Sequence, residues 1–548
     1  FVAVLGNLDG ATQVAQGIWS TTISQIPADP FDYWRSTRMM QPGNEITEFP
    51  FFTFLFADLH AHLMGLPFTL LAMGMALVIV LDGSGHEPEA MSRWGPGVLC
   101  RLIAAGIVVG ALRVINAWDY PAYFLILTAS VFLSAYFTNG GWSLAALIES
   151  CLKVMLVFLA GHLVFLPYHL RYESFFSSIE TTTNTTVLGQ FLVISGLFVF
   201  IIGSFILREA EPWLLKIWRI LKLQAYRLSV TTQVNSNGDR EVPENSNLAR
   251  VRHIVLITVA LVGGILAYFT VMPWTGSTIP FISIMAVFVL AGMIKAMRFH
   301  HADAPQVAIA LMFVGVSLSL VIGLDLYRIQ GDIDRMNSVF KFYLQIWVML
   351  GVSASYFLWR MWAWKKTPIM HMSNRKKLWI GSLSVLIICA SVYPVLGTQA
   401  RAKTRFDTLP GTLDGTTYMR SAFYQDINGP IRLVADYDGI RWLQVNIMGS
   451  PVILEGVTPQ YRWGSRISVY TGLPTVVGWK WHQEQQRWKY RDKISQRISD
   501  VNTIYNTSDV LEAVNLLRKY GVEYLYLGQV EMNYYSQPGI RKFDEGLN

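Results

Sequence analysis

Apolar runs of roughly 18 to 24 residues, each long enough to cross about 30 Å of hydrocarbon at 1.5 Å per residue, recur along the chain with short polar breaks between them. About ten can be marked, near residues 63–81, 97–114, 120–137, 144–167, 187–207, 253–272, 279–297, 304–324, 339–362 and 377–396. The pattern predicts an α-helical polytopic membrane protein. Past residue 397 the hydropathy drops and a soluble α/β domain is expected. There, Val452 to Glu455 and Glu523 to Leu527 read as strands. Between them Asp509 to Tyr520 reads as a helix: Asp509 can cap it, Glu512 completes a capping box, Val510, Val514 and Leu517 form one apolar stripe, and Gly521 ends it. The expected division is an outer-face segment over 1–62, a helical membrane domain over 63–397 and an α/β domain over 398–548. No internal repeat is visible.

Lys and Arg in the loops orient these helices, because cytoplasmic loops retain positive charge. The 208–252 stretch holds Arg208, Lys216, Arg219, Lys222, Arg227, Arg240, Arg250 and Arg252; the 363–377 stretch holds Lys365, Lys366, Arg375, Lys376 and Lys377. Both belong inside, and the even number of crossings between them agrees. Residues 1–62, 115–119, 168–186, 273–278, 325–338 and everything after 397 then lie on the outer face of a cell membrane. Gln233 to Asn247 reads as a mobile linker.

Composition supports this class: 52% of the 548 residues are hydrophobic and only 15% charged, well below the quarter usual in soluble proteins. The net charge of +7 falls mainly in the two inside loops, so it marks orientation and not a nucleic-acid partner. Cys100, Cys151 and Cys389 lie in apolar runs and imply no disulfide framework. The opening Phe1 to Leu5 reads as the end of an apolar segment that begins upstream. Nucleotide hydrolysis and serine-esterase chemistry find no Walker loop and no G-x-S-x-G elbow.

Chemistry-bearing residues gather on the outer side. Asp58-Leu59-His60-Ala61-His62 has the spacing of a metal site in which Asp58, His60 and His62 hold a divalent ion such as Zn²⁺, Mn²⁺, Fe²⁺ or Mg²⁺, provided the backbone there is not helical. Interfacial hydrogen bonding is the plainer account. Glu48 stands just upstream. Asn7-Leu8-Asp9-Gly10 and Phe31 to Arg38, with Asp9, Arg35 and Arg38, suit a sugar, whose C–H faces stack on aromatics while charged groups bind its hydroxyls; snorkelling arginines suit the same residues. Trp118 and Asp119 occupy a very short outer turn. Asp325 to Lys341 is the densest charged cluster, in which Arg335, Asn337 and Lys341 form a candidate diphosphate clamp or pair within the loop. In the soluble domain Arg462, Trp463, Arg466 and His482 combine stacking and charge and invite either a ligand or structural ion pairs.

The segments GNLDG (6–10), FDYWRSTR (31–38), EFPFFTFLFADLHAHLMGLPF (48–68), NAWDYP (116–121), RMNSVFKFYLQIW (335–347), YRWGSRIS (461–468) and KYGVEYLYLG (519–528) resemble those of the YYY-type polytopic membrane proteins of archaea and Chloroflexi-like bacteria, a family without assigned function. That family is grouped by similarity with GT-C-type glycosyltransferases, which use polyprenyl-phosphate-linked sugars at the outer membrane face. The resemblance implies a GT-C-like fold and a sugar transferase. Asp58, Asp9 or Glu48 would then supply the catalytic carboxylate, and Arg335 with Lys341 would stabilise the leaving phosphate. Membrane lipids, an upstream N-terminal segment and other membrane subunits are the expected partners. A non-catalytic scaffold or accessory subunit of a larger complex is the alternative, and Arg113 and His162 are weak pointers to transport.

Overall fold

The computed structural model describes residues 2–40, 45–83, 94–173, 178–233, 276–298, 303–330, 335–363, 373–405 and 411–545. Two compact units emerge: Phe1–Tyr172 with Phe176–Thr404, and Glu173–Phe175 with Arg405–Asn548.

The first unit opens with two short helices, α1 (Asp9–Thr22) and α2 (Pro50–Phe56), where sequence pattern had suggested none. The long helices are α3 (Ala61–Gly83), α4 (Pro96–Ile115), α5 (Tyr120–Asn139) and α6 (Leu144–Val164); then, after the single turn α7 (Leu166–His169), α8 (Leu188–Gln233), α9 (Ile279–Arg298), α10 (Ala304–Leu326), α11 (Met336–Ala363) and α12 (Asn374–Arg405). Among the described residues nine helices are long and apolar enough to cross a membrane. The expected span at 253–272 lies outside the described residues. Two boundaries change: α8 continues through Gln233, so much of the stretch expected as loop after 207 is helical, and α12 runs on to Arg405, past the expected end of the helical domain at 397. Leu, Lys, Arg and Gln there are good helix formers whatever their hydropathy, so helix length and membrane span need not coincide.

Central α10 and α11 are the most buried, and α6, α9 and α12 are peripheral. Val287, Leu290, Val385 and Ile388 on the peripheral helices remain more than half exposed, an apolar outer surface that lipid, unlike water, accommodates. Polar side chains gather at both ends of the bundle. Glu209, Lys295, Asp303 and Arg360 tie together one set of ends of α8 to α11, with Lys295 Nζ 2.8 Å from Glu209, and Arg360 3.0 Å from Glu209 and 2.5 Å from Asp303. At the opposite ends Thr186, Thr278, Asp325 and Arg335 converge, beside a two-stranded antiparallel pairing of β1 (Ile179–Thr181) with β2 (Tyr327–Ile329).

The helices α4 and α6 pack backbone to backbone. A Cβ at Gly106 would collide with the Val157 carbonyl oxygen, and one at Gly110 with that of Gly161. Small residues four apart allow this approach, which compensates for the weak hydrophobic force between helices in lipid. Gly110→Leu is expected to destabilise the bundle by about 1–3 kcal/mol or more through overpacking. Unfolding followed in nanodiscs checks this; an unchanged midpoint would show that α4 and α6 part without cost.

In the second unit β3 (Phe423–Asp426) and β4 (Gly429–Arg432) form an antiparallel hairpin leading into α13 (Leu433–Asn446). After β5 (Val452–Leu454) come α14 (Arg466–Thr471), α15 (Lys480–Gln486), α16 (Arg491–Asn506) and α17 (Val510–Lys519), then β6 (Val522–Leu525), α18 (Gln529–Tyr534) and α19 (Gln537–Glu545). The strands β5 and β6 pair in parallel, as an αβ unit requires, with Thr475 bridging the other side of Ile453. Asp509 caps α17 through the amides of Leu511 and Glu512, and Gly521 takes φ +62° just after it. Among the described residues the sheets are two-stranded, so helices supply most of the core around Ile440, Ile467, Val501 and Ile504.

Candidate functional site

The stretch from Glu45 to His62 is shaped by short-range rules. Pro50 starts α2 at its first turn, and Ala57 ends it in the left-handed conformation at φ 58°. Residues 58–60 are therefore not helical, and α3 begins at Ala61. That satisfies the condition for Asp58, His60 and His62 to converge, yet they do not form a ligand set. Asp58 is exposed, and among the described residues no group of three or more His, Cys, Asp or Glu side chains could hold a metal ion.

What converges instead is a chain of titratable groups. Glu48 Oε2 lies 3.2 Å from His62 Nε2 and accepts from Thr53 Oγ1 at 3.1 Å. His62 Nδ1 lies 2.8 Å from His60 Nδ1, which is 3.4 Å from Lys341 Nζ. Phe340 walls this chain, its ring 4.6 Å from that of His62 and 4.7 Å from the Lys341 ammonium. Glu48, His62 and Lys341 are buried while His60 is exposed. The two Nδ1 atoms share a single proton; when it rests on His60, the His60 Nε2 is the basic atom, and a proton taken there moves the shared one to His62 Nδ1 and the His62 Nε2 proton to Glu48, while the Lys341 ammonium contributes charge. The Lys341 charge beside the imidazoles also opposes a divalent cation at the same spot.

Around this chain the other outer residues fall into separate networks. Asp9, fully buried in the first turn of α1, accepts from Thr12 at 2.7 Å and from Gln13 and Ser36 at 2.9 Å, with Arg35 at 3.2 Å. Asn7 donates to the Ser36 carbonyl at 2.6 Å, while Gly6 and Gly10 let the segment lie against Tyr393, where a Cβ at Gly6 would stand 2.6 Å from that of Tyr393. The residues expected to suit a sugar thus divide: Asp9 with Arg35 pins the N-terminal segment, and Arg38 sits 5.5 Å over Trp34, where burial lowers its pKa. Asp119 accepts from Gln345 at 2.9 Å, and Tyr123 donates to the same Gln345; burial pushes the Asp119 carboxyl up to about 7. Trp118 meets Phe342 edge-on at 6.0 Å.

The expected diphosphate clamp is also divided. Arg335, 2% exposed, donates to Glu45 at 2.8 Å and Asp325 at 2.7 Å, and Asp325 further accepts from the amide and hydroxyl of Thr186. Its Nε and Nη1 are committed to these partners, so Arg335 locks the loop to α10 while Lys341 faces the histidines. Asn337 is half-buried in the first turn of α11.

In the second unit Arg466 is an interior ion-pair centre, 2.8 Å from both Asp436 and Glu531. Trp463 donates to Asp436 at 2.8 Å, and Glu455 accepts from the amides of Ile467 and Ser468. Of the expected ligand contacts, Arg466 and Trp463 are thereby engaged in this interior network. Arg462 lies 4.0 Å from Asp426, and exposed His482 stands 5.5 Å from Trp479. Asp436, Glu531, Glu45, Gln345 and Phe340 were not singled out by sequence. The residues that engage them, Arg466, Asp119, His62 and Arg335, lie 30 to 290 residues away, beyond the reach of a local motif.

A bundle of apolar helices with buried polar networks at one end defines a multi-pass membrane protein. The chain belongs to the family described as uncharacterized membrane protein (DUF2298), whose profile matches residues 1–350. This agrees with the expected polytopic family of unassigned function. No curated protein matches. Among solved structures the chain is similar to two of the Archaeoglobus fulgidus oligosaccharyltransferase, one in complex with zinc and sulfate and one tethered to an acceptor peptide containing the NVT sequon. Each is 14% identical with a TM-score of 0.30, and the match covers 90% of this chain and 50% and 52% of those. The chain thus spans about half the length of these structures.

Proposed function

We propose that this protein is a GT-C-like membrane glycosyltransferase that moves a sugar from a polyprenyl-phosphate carrier to an acceptor on the exterior face. The chain Glu48–His62–His60, with the Lys341 ammonium beside it, carries this reading. Glycosyl transfer from a lipid phosphate needs two things: a group that takes the acceptor's proton, and positive charge for the departing phosphate. His60 supplies the first and Lys341 the second. The acceptor heteroatom bonds to the anomeric carbon as that carbon's bond to the phosphate oxygen breaks. The polyprenyl phosphate leaves with the electron pair, and the acceptor's proton goes to His60 and along to His62 and Glu48. The acid–base role falls on His60 in preference to Asp58 or Asp9, because His60 alone joins a buried carboxylate to the surface. No step is routed through a divalent metal.

The test is sugar transfer by the full chain in liposomes carrying a polyprenyl-phosphate-linked sugar. His60→Ala and Glu48→Gln are each expected to lower the rate by about 10²- to 10⁴-fold, the usual worth of a positioned acid–base group. If no lipid-linked donor supports transfer and both variants leave cellular glycans unchanged, the enzyme reading fails and a scaffold within a larger membrane complex takes its place.

A further inference from the structure

The second unit contains a cavity of about 330 Å³ that none of the preceding networks uses. Its floor is apolar: Val476, Val477 and Ile494 are each less than a tenth exposed. Its walls are Thr475, Gln483, Arg487, Tyr490, Lys493 and Arg497, which come from the strand-like segment beside β5, from α15 and from the start of α16. Gly478, at φ +76°, turns the chain between that segment and α15 and leaves room for the Gln483 amide, 3.1 Å from where a Cβ would stand.

Charge is what sets this cavity apart. Three cations line it and no carboxylate does. Acids near in sequence are engaged elsewhere: Glu484 pairs with Lys480 at 3.9 Å and Asp500 with Lys519 at 2.6 Å, while Asp492 stands exposed in the first turn of α16. Among the described residues the contacts of these cations are with neutral groups, Arg497 also lying 5.5 Å over the Tyr520 ring. Arg487 donates to the Gln483 side chain, Arg497 donates to the Val476 carbonyl at 3.0 Å, and the Lys493 ammonium lies 5.1 Å over the Tyr490 ring. Like charges held together without counter-ions repel, and an anion relieves that repulsion. The volume falls within the range of about 300 to 1,000 Å³ typical of small-molecule sites. It therefore holds more than an inorganic ion, and the half-exposed Tyr490 ring offers a stacking face for a sugar.

We propose that this cavity binds an anionic sugar, its carboxylate or phosphate held by Arg487, Lys493 and Arg497 and its ring against Tyr490. The site does not depend on the transfer reaction, so it stands or falls separately from the proposed function.

Calorimetric titration of the full chain, in nanodiscs of zwitterionic lipid, tests it with galacturonate, glucose 6-phosphate, glucose, inorganic phosphate and phosphatidylglycerol vesicles. Saturable binding of galacturonate or glucose 6-phosphate but not glucose is expected, weakening with salt. Arg487→Gln with Lys493→Gln should weaken it at least about tenfold, as for loss of charged hydrogen bonds. Both side chains are exposed, so the fold should survive. Tyr490→Ala should erase the preference for glucose 6-phosphate over inorganic phosphate. Three results would each overturn the proposal: no saturable binding of either sugar acid, equal binding of inorganic phosphate and glucose 6-phosphate, or binding confined to the anionic vesicles.

Discussion

Replacing Arg466 with leucine is expected to destabilise the second unit by about 3–5 kcal/mol, because it leaves two carboxylates buried without their cation. The Arg466, Asp436 and Glu531 side chains are 1%, 2% and 0% exposed, and the guanidinium is bonded to both acids at 2.8 Å. Glu531 also holds the amides of Gly456 and Gly528, so the lost charge is felt at the turn after β5 and at the start of α18. Acid response should change sign as well. Burial works to raise the Glu531 pKa, but Arg466 and the two amides outweigh it and hold the group below its ordinary 4.5. Its contribution to stability is present above that value and fades as pH falls through the folded pKa. In Arg466→Leu the unpaired acids prefer to be neutral, so mild acid should stabilise the variant. Pulse proteolysis of the full chain in nanodiscs, followed through fragments of 405–548 at several pH values, gives both quantities. A variant as resistant as the parent, with the same acid sensitivity, would show that this cluster is not what holds the unit together.

Arg335→Leu should be comparably costly, about 3–5 kcal/mol, by stranding Asp325 and Glu45. Their burial is as complete, with side chains 0% and 3% exposed. Here the rescue is informative. Adding Asp325→Asn and Glu45→Gln removes both uncompensated charges, and the triple variant should regain most of the lost stability, since exchanging a whole buried ion cluster for neutral groups is often nearly cost-free. Thermal unfolding in nanodiscs measures the recovery. Sugar transfer by the same triple variant decides what Arg335 is for. Activity that returns with stability marks Arg335 as structural. Stability without activity would return it to the role of phosphate clamp expected from sequence.

Those two roles could not be separated by reading the chain. Arg335 and Lys341 are six positions apart, and at about 100° per residue they diverge by about 120° around a helix. One therefore turns into the Glu45 and Asp325 pair and the other towards His60. Likewise Glu48, His60, His62 and Lys341 were each marked by a local motif, but their joining was not. His60 and Lys341 are separated by 281 residues, and only the packing of α3 against its neighbours brings α11 to that loop. Asp58 was favoured by spacing alone; the left-handed turn at Ala57 decides that it stays at the surface.

By itself, then, the amino-acid order determined the class of this protein and the position of the nine long apolar helices among the described residues. Hydrocarbon thickness fixes span length. It also determined the cap at Asp509 and the turn at Gly521, which depend on neighbours a few residues away. Only the tertiary structure decided which charged groups are partners. In a buried site an ion's energy depends on what lies within a few ångströms of it, a distance that sequence spacing does not encode.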